Sequence, residues 1–474
     1  MKKIFIPILS LALLYNCTND FNKVVDFTTV TNPNFSESAV VGQPNSAAIL
    51  LQGVERQMSL VQNETVILAE IGSDNFVNTQ TFYSQFMDAL DIRITDPDMR
   101  DTQRNIARLR ELAKFGTNEV APNDSEATDA TKADFLFFEG MSYLYAGMYF
   151  SFLPQEPLGA PASSTDNYNL AVQKFDDAIA LNNRADYQLA KARAYYFLGN
   201  RTMAVSAANA ALALSTSFTR EARFDEASSS GPVSVMEAAL FARGTFDDLQ
   251  PLPTLDFLDP KYSFLSASAD PSIHYLKAEE AYLILAEANV STDLNAAKDN
   301  LKDLLTLVNT REVRTFSDAV EGRTQNDPGS RPDKADITVN GRTGLVLDRQ
   351  AGNVSVPSIS GTSVTVAEID AVTTEDEALE LIYRTRQEVF LAEGMRLVDM
   401  GVKLVIFEEE IALNPNINSG DPGTTPVIPS FINSNIANLD AITYDAVAKT
   451  ATTTIDLNAI LVANKTSDQV LPFH

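Results

Sequence analysis

Two segments of the chain repeat one helical pattern: AVQKFDDAIAL at 171–181 and AVSAANAALAL at 204–214. In both, small or apolar residues recur at i, i+4, i+7 and i+8, which places them on one face of a helix. The second segment follows the first by 33 residues. The matched positions are Ala171, Phe175, Ala178, Ile179 and Leu181, then Ala204, Ala208, Ala211, Leu212 and Leu214. A fixed period of this length predicts a stack of paired helices.

The helices that precede these segments also match each other. Gly140, Tyr143 and Gly147 recur 52 residues later as Ala192, Tyr195 and Gly199, and the longer distance reflects a proline-rich insertion at 151–166. Small residues let paired helices approach closely, and the pattern is that of tetratricopeptide repeats. A looser copy of the second helix occurs at 297–307. The alternative interpretation is a set of unrelated amphipathic helices.

The sequence therefore predicts a mostly α fold, a tetratricopeptide-like scaffold with long loop and β-hairpin excursions. Asn340-Gly341 between short β-prone runs indicates a hairpin, and Val364-Thr365-Val366 indicates a further strand. Helices are also expected at 47–63, 99–114 and 274–290. We predict one domain at 35–474, with repeat helices at 132–214 and 273–310, an excursion at 321–374, a C-terminal helix at 375–403 and an irregular tail at 411–474.

The N-terminus has the features of a lipoprotein signal. Lys2 and Lys3 precede a short apolar stretch, which is followed by Cys17, the only cysteine in the chain. We interpret 1–16 as a signal peptide, Cys17 as the lipidated residue and 17–34 as a tether. The alternative is an incidental cysteine in a cleaved signal. No later segment has about 18 uninterrupted apolar residues, so no transmembrane helix is expected.

Several kinds of chemistry are disfavoured by composition. Two histidines and one cysteine leave little material for a Ser-His-Asp, Cys-His or zinc site. The net charge of −27 argues against nucleic-acid binding, and no phosphate-binding or dinucleotide motif is present. We therefore predict no enzyme, no catalytic residue, no cofactor and no metal site. A pair of carboxylates acting as a glycosidase, or a calcium site made of oxygen ligands, stays open.

Three segments together resemble the SusD/RagB family of nutrient-binding outer-membrane lipoproteins. They are Tyr275–Asn289, with Lys277 where the family usually has Arg, Val308-Asn309-Thr310-Arg311, and the stretch 386–399. The six residues that match the family signature are expected to be structural: Glu279, Glu287, Arg311, Glu393, Arg396 and Asp399.

The resemblance implies a lipid-anchored protein of the outer membrane that faces the outside. Such a protein binds a glycan or a peptide and passes it to a SusC-like TonB-dependent transporter. Aromatic and polar residues near chain breaks suggest where a ligand would bind: Asp74, Asn75, Phe76, Phe82, Tyr83, Phe257 and Tyr262. The chain has no Trp, the strongest platform for a sugar ring. The alternatives are a protein-binding scaffold without a small ligand, and a glycoside hydrolase.

Overall fold

The protein is mostly helical, which confirms the predicted fold class. A computed structural model describes residues 41–78, 85–225, 227, 231–242, 249–258, 261, 270–317, 338–339, 342–343, 353–445, 447–448 and 450–474. Cys17 and the predicted signal and tether lie outside these residues.

Fifteen α-helices of four or more residues follow one another through the described residues, and the long ones build the scaffold. They are α1 (Ser46–Ile71), α2 (Gln85–Asp88), α3 (Pro97–Phe115), α4 (Asp129–Tyr149), α5 (Ser164–Leu181), α6 (Ala185–Phe197), α7 (Arg201–Leu214), α8 (Ala278–Asn289), α9 (Leu294–Val308), α10 (Val366–Ala371), α11 (Glu375–Val389), α12 (Met395–Asp399), α13 (Glu408–Leu413), α14 (Ser430–Asn433) and α15 (Leu457–Ala463).

The repeat segments form helix pairs, α4 with α5 and α6 with α7, and α8 with α9 continues the series. Small residues are required where α4 meets α5. A Cβ atom added at Gly140 would lie 2.6 Å from the ring of Phe175, and one added at Gly147 would lie 2.6 Å from the ring of Tyr168. The interpretation of these small residues as points of close helix approach is therefore confirmed.

The strands are short and form small antiparallel ribbons beside the helices. The predicted hairpin around Asn340-Gly341 is present as β8 and β9, although the two turn residues lie outside the described part of the chain. Among the strands of the described residues, only β8 (Thr338–Val339) and β12 (Thr450–Thr453) pair in parallel. The strands are β1 (Phe76–Asn78), β2 (Phe152–Pro154), β3 (Pro161–Ser163), β4 (Thr219–Ala222), β5 (Leu249–Pro251), β6 (Ile273–Lys277), β7 (Val313–Ser317), β8 (Thr338–Val339), β9 (Arg342–Thr343), β10 (Asn353–Pro357), β11 (Ile442–Asp445) and β12 (Thr450–Thr453).

Two local predictions are wrong. His274 does not begin a helix, because Ile273–Lys277 forms β6, pairs with β4 and is buried along its whole length; the helix begins at Ala278. Val364–Val366 is not a strand. Thr365 caps α10 instead, since its side chain accepts from the amide of Glu368 and the Glu368 carboxylate accepts from the amide of Thr365.

The predicted C-terminal helix at 375–403 is divided in two. Helix α11 ends at Val389 and α12 begins at Met395. Between them Ala392 and Gly394 have φ angles of 59° and 82°, which no helix contains. Contacts from elsewhere in the chain hold this turn, because the Gly394 amide donates to Glu70 at 3.0 Å.

The buried side chains form one continuous apolar core from Ala47 to Phe473, and charged pairs cross it. Arg193 on α6 donates to both oxygens of Glu280 on α8, at 2.7 and 2.6 Å, and to the carbonyl of Tyr275 at 2.7 Å. The side chains of Arg193 and Glu280 are 1% and 0% exposed. This pair fixes the second repeat pair against the third.

Removal of the arginine from this pair should destabilise the protein. We expect Arg193→Met to lower the free energy of unfolding by about 3–5 kcal/mol, because it leaves the buried Glu280 carboxylate without a partner. Chemical denaturation measures the effect. The double variant Arg193→Met/Glu280→Leu should recover most of the loss. The control Arg100→Met breaks a partly exposed pair with Asp101 and should cost far less, because water screens that pair. An Arg193→Met protein as stable as the control would contradict the expectation.

Candidate functional site

A small cleft lies where the C-terminal end of α1, the segment after β5, α11 and the turn into α15 meet. Its volume is about 130 Å³, and we name it the polar cleft. Eight polar residues and five aliphatic residues line it: Asp74, Thr254, Arg384, Gln387, Glu388, Thr453, Asp456 and Asn458, with Leu252, Leu255, Leu439, Ile455 and Leu457.

The floor of the polar cleft is a buried network centred on Asp74. Arg396 binds both carboxylate oxygens of Asp74, at 2.6 and 2.8 Å, and also donates to the side-chain oxygen of Asn458 at 2.9 Å. Gln387 donates to Asp74 at 3.1 Å and accepts from Asn458 at 3.1 Å. These amides and charges are oriented by one another, so the floor is rigid before any ligand arrives.

The predicted ligand residues next to Asp74 are also part of this floor. Asn75 accepts from Gln387 at 3.0 Å and donates to the carboxylate of Glu70 at 2.7 Å. Phe76 begins β1 and is buried in the core. The structure therefore places Asp74 in the cleft lining and sets Asn75 and Phe76 behind it. A ligand contact from any of them stays a prediction.

The other predicted ligand residues are placed less completely. Phe257 is partly buried, packs against the core and follows the cleft residues Thr254 and Leu255. Phe82, Tyr83 and Tyr262 lie outside the described residues.

The six family-signature residues all make buried contacts between separate elements. Glu279 accepts two hydrogen bonds from Arg311, each of 2.7 Å, and Glu287 accepts from Tyr196 at 2.7 Å. Glu393 accepts from Lys261 and Lys277. Arg396 binds Asp74 as above, and Asp399 accepts from Arg386 at 2.7 Å. These residues hold the packing of α8, α9, α11 and α12.

The sides of the polar cleft carry groups that suit hydroxylated ligands. Arg384 donates to Glu368 at 2.6 Å, and a guanidinium has five N–H groups in all. Asp456 is exposed and caps α15 by accepting from the amide of Ala459. Carboxylate and guanidinium groups form hydrogen bonds that are stronger than neutral ones. The arrangement can hold hydroxyl groups at defined positions.

Sequence reasoning missed most of the cleft lining. Gln387 lies 313 residues from Asp74, and Asn458 lies 71 residues from Gln387. Gln387 lies within the family-like stretch 386–399 but at none of its matched positions, and Asn458 stands in no motif, so no local signal marks either residue. Asp456 had a usable signal, because an Asp before a short apolar run is a common helix cap.

A second, larger cleft of about 550 Å³ lies between α1, α4 and β4. Four arginines line it, but ion pairs engage three of them. Arg220 bridges Asp134 and Asp186 at 2.8 and 2.7 Å, Arg184 also binds Asp186 at 2.9 Å, and Arg223 pairs with Glu221. The fourth, Arg56, is engaged as well. The cluster therefore joins α4, α6 and β4 rather than presenting free charge.

Neither a metal centre nor a membrane span is found in the described ranges. No group of three or more His, Cys, Asp or Glu side chains there could hold a metal ion. None of the helices that the structure describes combines the length and the apolar character needed to cross a bilayer.

Glu70 behind the cleft provides a test of the network through pH. Burial raises the pKa of Glu70 from 4.5 to about 7. Between these two pH values the folded protein therefore keeps a proton on Glu70 that the unfolded chain has released. This stabilisation is complete below pH 4.5 and is lost as the pH rises through 7. We expect the stability of Glu70→Gln relative to wild type to be about 1–3 kcal/mol more favourable at pH 8 than at pH 4, because the variant has no carboxyl group to ionise at this buried position. Urea denaturation at both values measures this. Glu409→Gln, an exposed change, is the control, and equal effects of both variants would refute the assignment.

Comparisons with known proteins agree with the fold. No protein-family model matches the sequence, and no curated protein matches it. A SusD superfamily protein from Bacteroides vulgatus matches with a TM-score of 0.52 at 11% identity, over 80% of this chain and 99% of that one. A SusD superfamily protein from Bacteroides fragilis gives 0.51 at 12%, over 80% and 100%. A SusD homologue from Bacteroides thetaiotaomicron gives 0.52 at 11%, over 79% and 88%. The sequence resemblance is thus confirmed at the level of the fold: the chain has the SusD-like fold.

Proposed function

We propose that the protein binds a glycan in the polar cleft and delivers it to a SusC-like TonB-dependent transporter. The observation that carries the glycan part is the lining of the cleft. Oriented amide, carboxylate and guanidinium groups stand beside aliphatic side chains. A sugar ring needs both, because its hydroxyls take hydrogen bonds and its C–H faces are apolar.

The size of the cleft limits how much of a glycan it can hold. A volume of about 130 Å³ is below the roughly 300–1,000 Å³ of typical small-molecule sites, so the cleft admits one edge of a sugar unit. An oligosaccharide would insert one unit between Gln387 and Asp456 and extend over the surface on either side. Phe257, which follows the cleft residues Thr254 and Leu255 in the chain, would then offer a surface for a further unit, and contacts from Phe82, Tyr83 and Tyr262 stay predictions from the sequence. A peptide ligand is the alternative within the same delivery function.

Hydrolysis is disfavoured by the way the carboxylates of the cleft are used. A glycosidase needs two carboxyl groups about 5–10 Å apart, one of which donates a proton. Both oxygens of Asp74 lie on Arg396. Glu388 accepts from the Thr362 hydroxyl and from the amide and hydroxyl of Ser363. Only Asp456 is exposed among the three carboxylates, so we propose binding without turnover.

The glycan proposal is tested by a substitution at Asp456. We expect wild-type protein to bind at least one member of a panel of neutral oligosaccharides, and Asp456→Asn to weaken that binding about tenfold, since one charge-assisted hydrogen bond is lost. Calorimetric titration measures the affinity, and a parallel assay of released reducing ends should stay at background.

A second helix cap provides the matched control. Asp293 caps α9 by accepting from the amides of Asn295 and Ala296, and it does not line the cleft. Asp293→Asn should therefore leave glycan affinity unchanged while it perturbs a helix end in the same way. Equal affinities for both variants, or binding of peptides alone, would count against the proposal.

Anchoring to the outer membrane through Cys17 is the second part of the proposal. It rests on the sequence, where Cys17 directly follows a signal-like segment. Several acyl chains on one residue give stable attachment, because each buried CH₂ contributes roughly 0.8 kcal/mol. A tethered protein on the outer face would stand next to a barrel transporter.

Removal of the cysteine should release the protein. We expect Cys17→Ser to move it from the detergent-soluble membrane fraction to the aqueous fraction, while Thr18→Ser leaves it membrane-bound. Cell fractionation with immunoblotting measures the distribution, and wild-type protein extracted in mild detergent should co-purify with a TonB-dependent barrel. Membrane retention of Cys17→Ser would exclude lipidation at this residue.

A further inference from the structure

Helix α15 carries one wall of the polar cleft. Asp456, Leu457 and Asn458 at its N-terminal end line the cleft, and Asn458 is hydrogen-bonded to Arg396 and Gln387 on the floor. The helix has only seven residues. Because an isolated helix of fewer than about 12 residues is marginal in water, contacts with the rest of the molecule must hold this wall in place.

The segment that follows α15 supplies two sets of such contacts, and we name residues 464–474 the strap. Near its start, Lys465 forms an ion pair with Asp376 in the first turn of α11. Farther along, three apolar side chains are buried in the core: Val470, Leu471 and Phe473. The strap therefore joins α15 to an anchor in another part of the scaffold.

The anchor is the ring of Phe473, which lies against the second repeat pair. Its edge meets the ring of Tyr196 on α6 with the centroids 5.0 Å apart. Arg201, the first residue of α7, donates to the carbonyl of Phe473, and its guanidinium lies 5.7 Å from the centroid of the phenylalanine ring. The strap is thus attached to both α6 and α7.

The backbone of the strap fits closely against the scaffold at two glycines. A Cβ atom added at Gly401 would lie 2.5 Å from the carbonyl oxygen of Gln469, and one added at Gly199 would lie 3.0 Å from the carbonyl oxygen of Pro472. Between these two contacts, Leu471 has a φ angle of 47°, a left-handed conformation that is unfavourable for leucine. Packing must hold the strap in this conformation, so loss of the anchor should release it.

The middle of the strap has less support than its anchor. Residues 466–468 border a space of about 650 Å³ that also touches the ends of α6 and α12, and Thr466 and Asp468 are exposed. We propose that the strap holds α15 against the cleft floor and thereby sets the glycan affinity of the polar cleft. This regulation rests on the glycan binding proposed above.

Hydrogen exchange on the full chain purified in mild detergent tests whether the strap holds α15. Phe473→Ala should speed the exchange of amides 457–463 relative to those of α1 about tenfold, because α15 then opens locally. Mass spectrometry measures both segments. The matched control is Phe175→Ala, which removes a fully buried ring from the first repeat pair and should not raise this ratio. A rise in Phe473→Ala no larger than in the control would overturn the proposal.

A milder variant covers the case in which Phe473→Ala fails to fold. Arg201→Gln leaves both rings of the anchor in place and removes only the guanidinium contacts with Phe473. It should speed the exchange of amides 457–463 about threefold relative to α1. Exchange in this segment equal to that of wild type would overturn the proposal.

Calorimetric titration with the oligosaccharide that wild-type protein binds tests the effect on the cleft. Phe473→Ala should weaken this binding about tenfold, and Phe175→Ala should leave it unchanged. Coupling between two sites is reciprocal, so the same oligosaccharide should slow the exchange of the amides of Leu471 and Phe473 in wild-type protein. Faster exchange in α15 with unchanged glycan affinity would overturn the regulation alone. A wild-type protein that binds no glycan would overturn the proposed function, while exchange would still decide whether the strap holds α15.

Discussion

The bidentate pair between Arg396 and Asp74 is the interaction on which the cleft side of the molecule depends. It joins residues 322 positions apart and fixes α12 against the turn after α1. Both side chains are nearly inaccessible to water. Because a lone buried charge costs several kcal/mol, neither residue can move without the other. Asn458 and Gln387 are hydrogen-bonded to this pair, so the pair also holds the floor of the cleft in place.

The same constraint explains why α11 and α12 are separate helices. For Arg396 to reach Asp74, the chain must turn sharply after Val389, and Gly394 does so with φ of 82°. A Cβ atom at Gly394 would lie 2.9 Å from the hydroxyl oxygen of Tyr149, which also donates to the carbonyl of Gly394. Close packing and backbone conformation therefore both require glycine here.

These contacts also show which features a sequence can reveal. The helix pairs were predictable because the neighbouring helix leaves no room for a side chain at Gly140 and Gly147, and small residues at such positions recur at a fixed spacing in the sequence. The break before Gly394 was not, because the apolar pattern continues through it and only distant residues hold the turn. His274 was misassigned for a similar reason: β6 is buried on every side by β4 and the helices, so it lacks the alternation that marks an exposed strand.

The residues of the candidate site show the same contrast between features that the sequence marks and features that only the fold creates. Asp74 stood out because aromatic and polar residues cluster near it in sequence, while Gln387 and Asn458 reach the cleft only through folding. With a net charge of −27, the protein surface repels anions at long range. Salt screens that repulsion beyond roughly 8 Å. A neutral glycan would approach the polar cleft without opposition from this field, and the hydrogen-bonding groups that line the cleft would decide its binding.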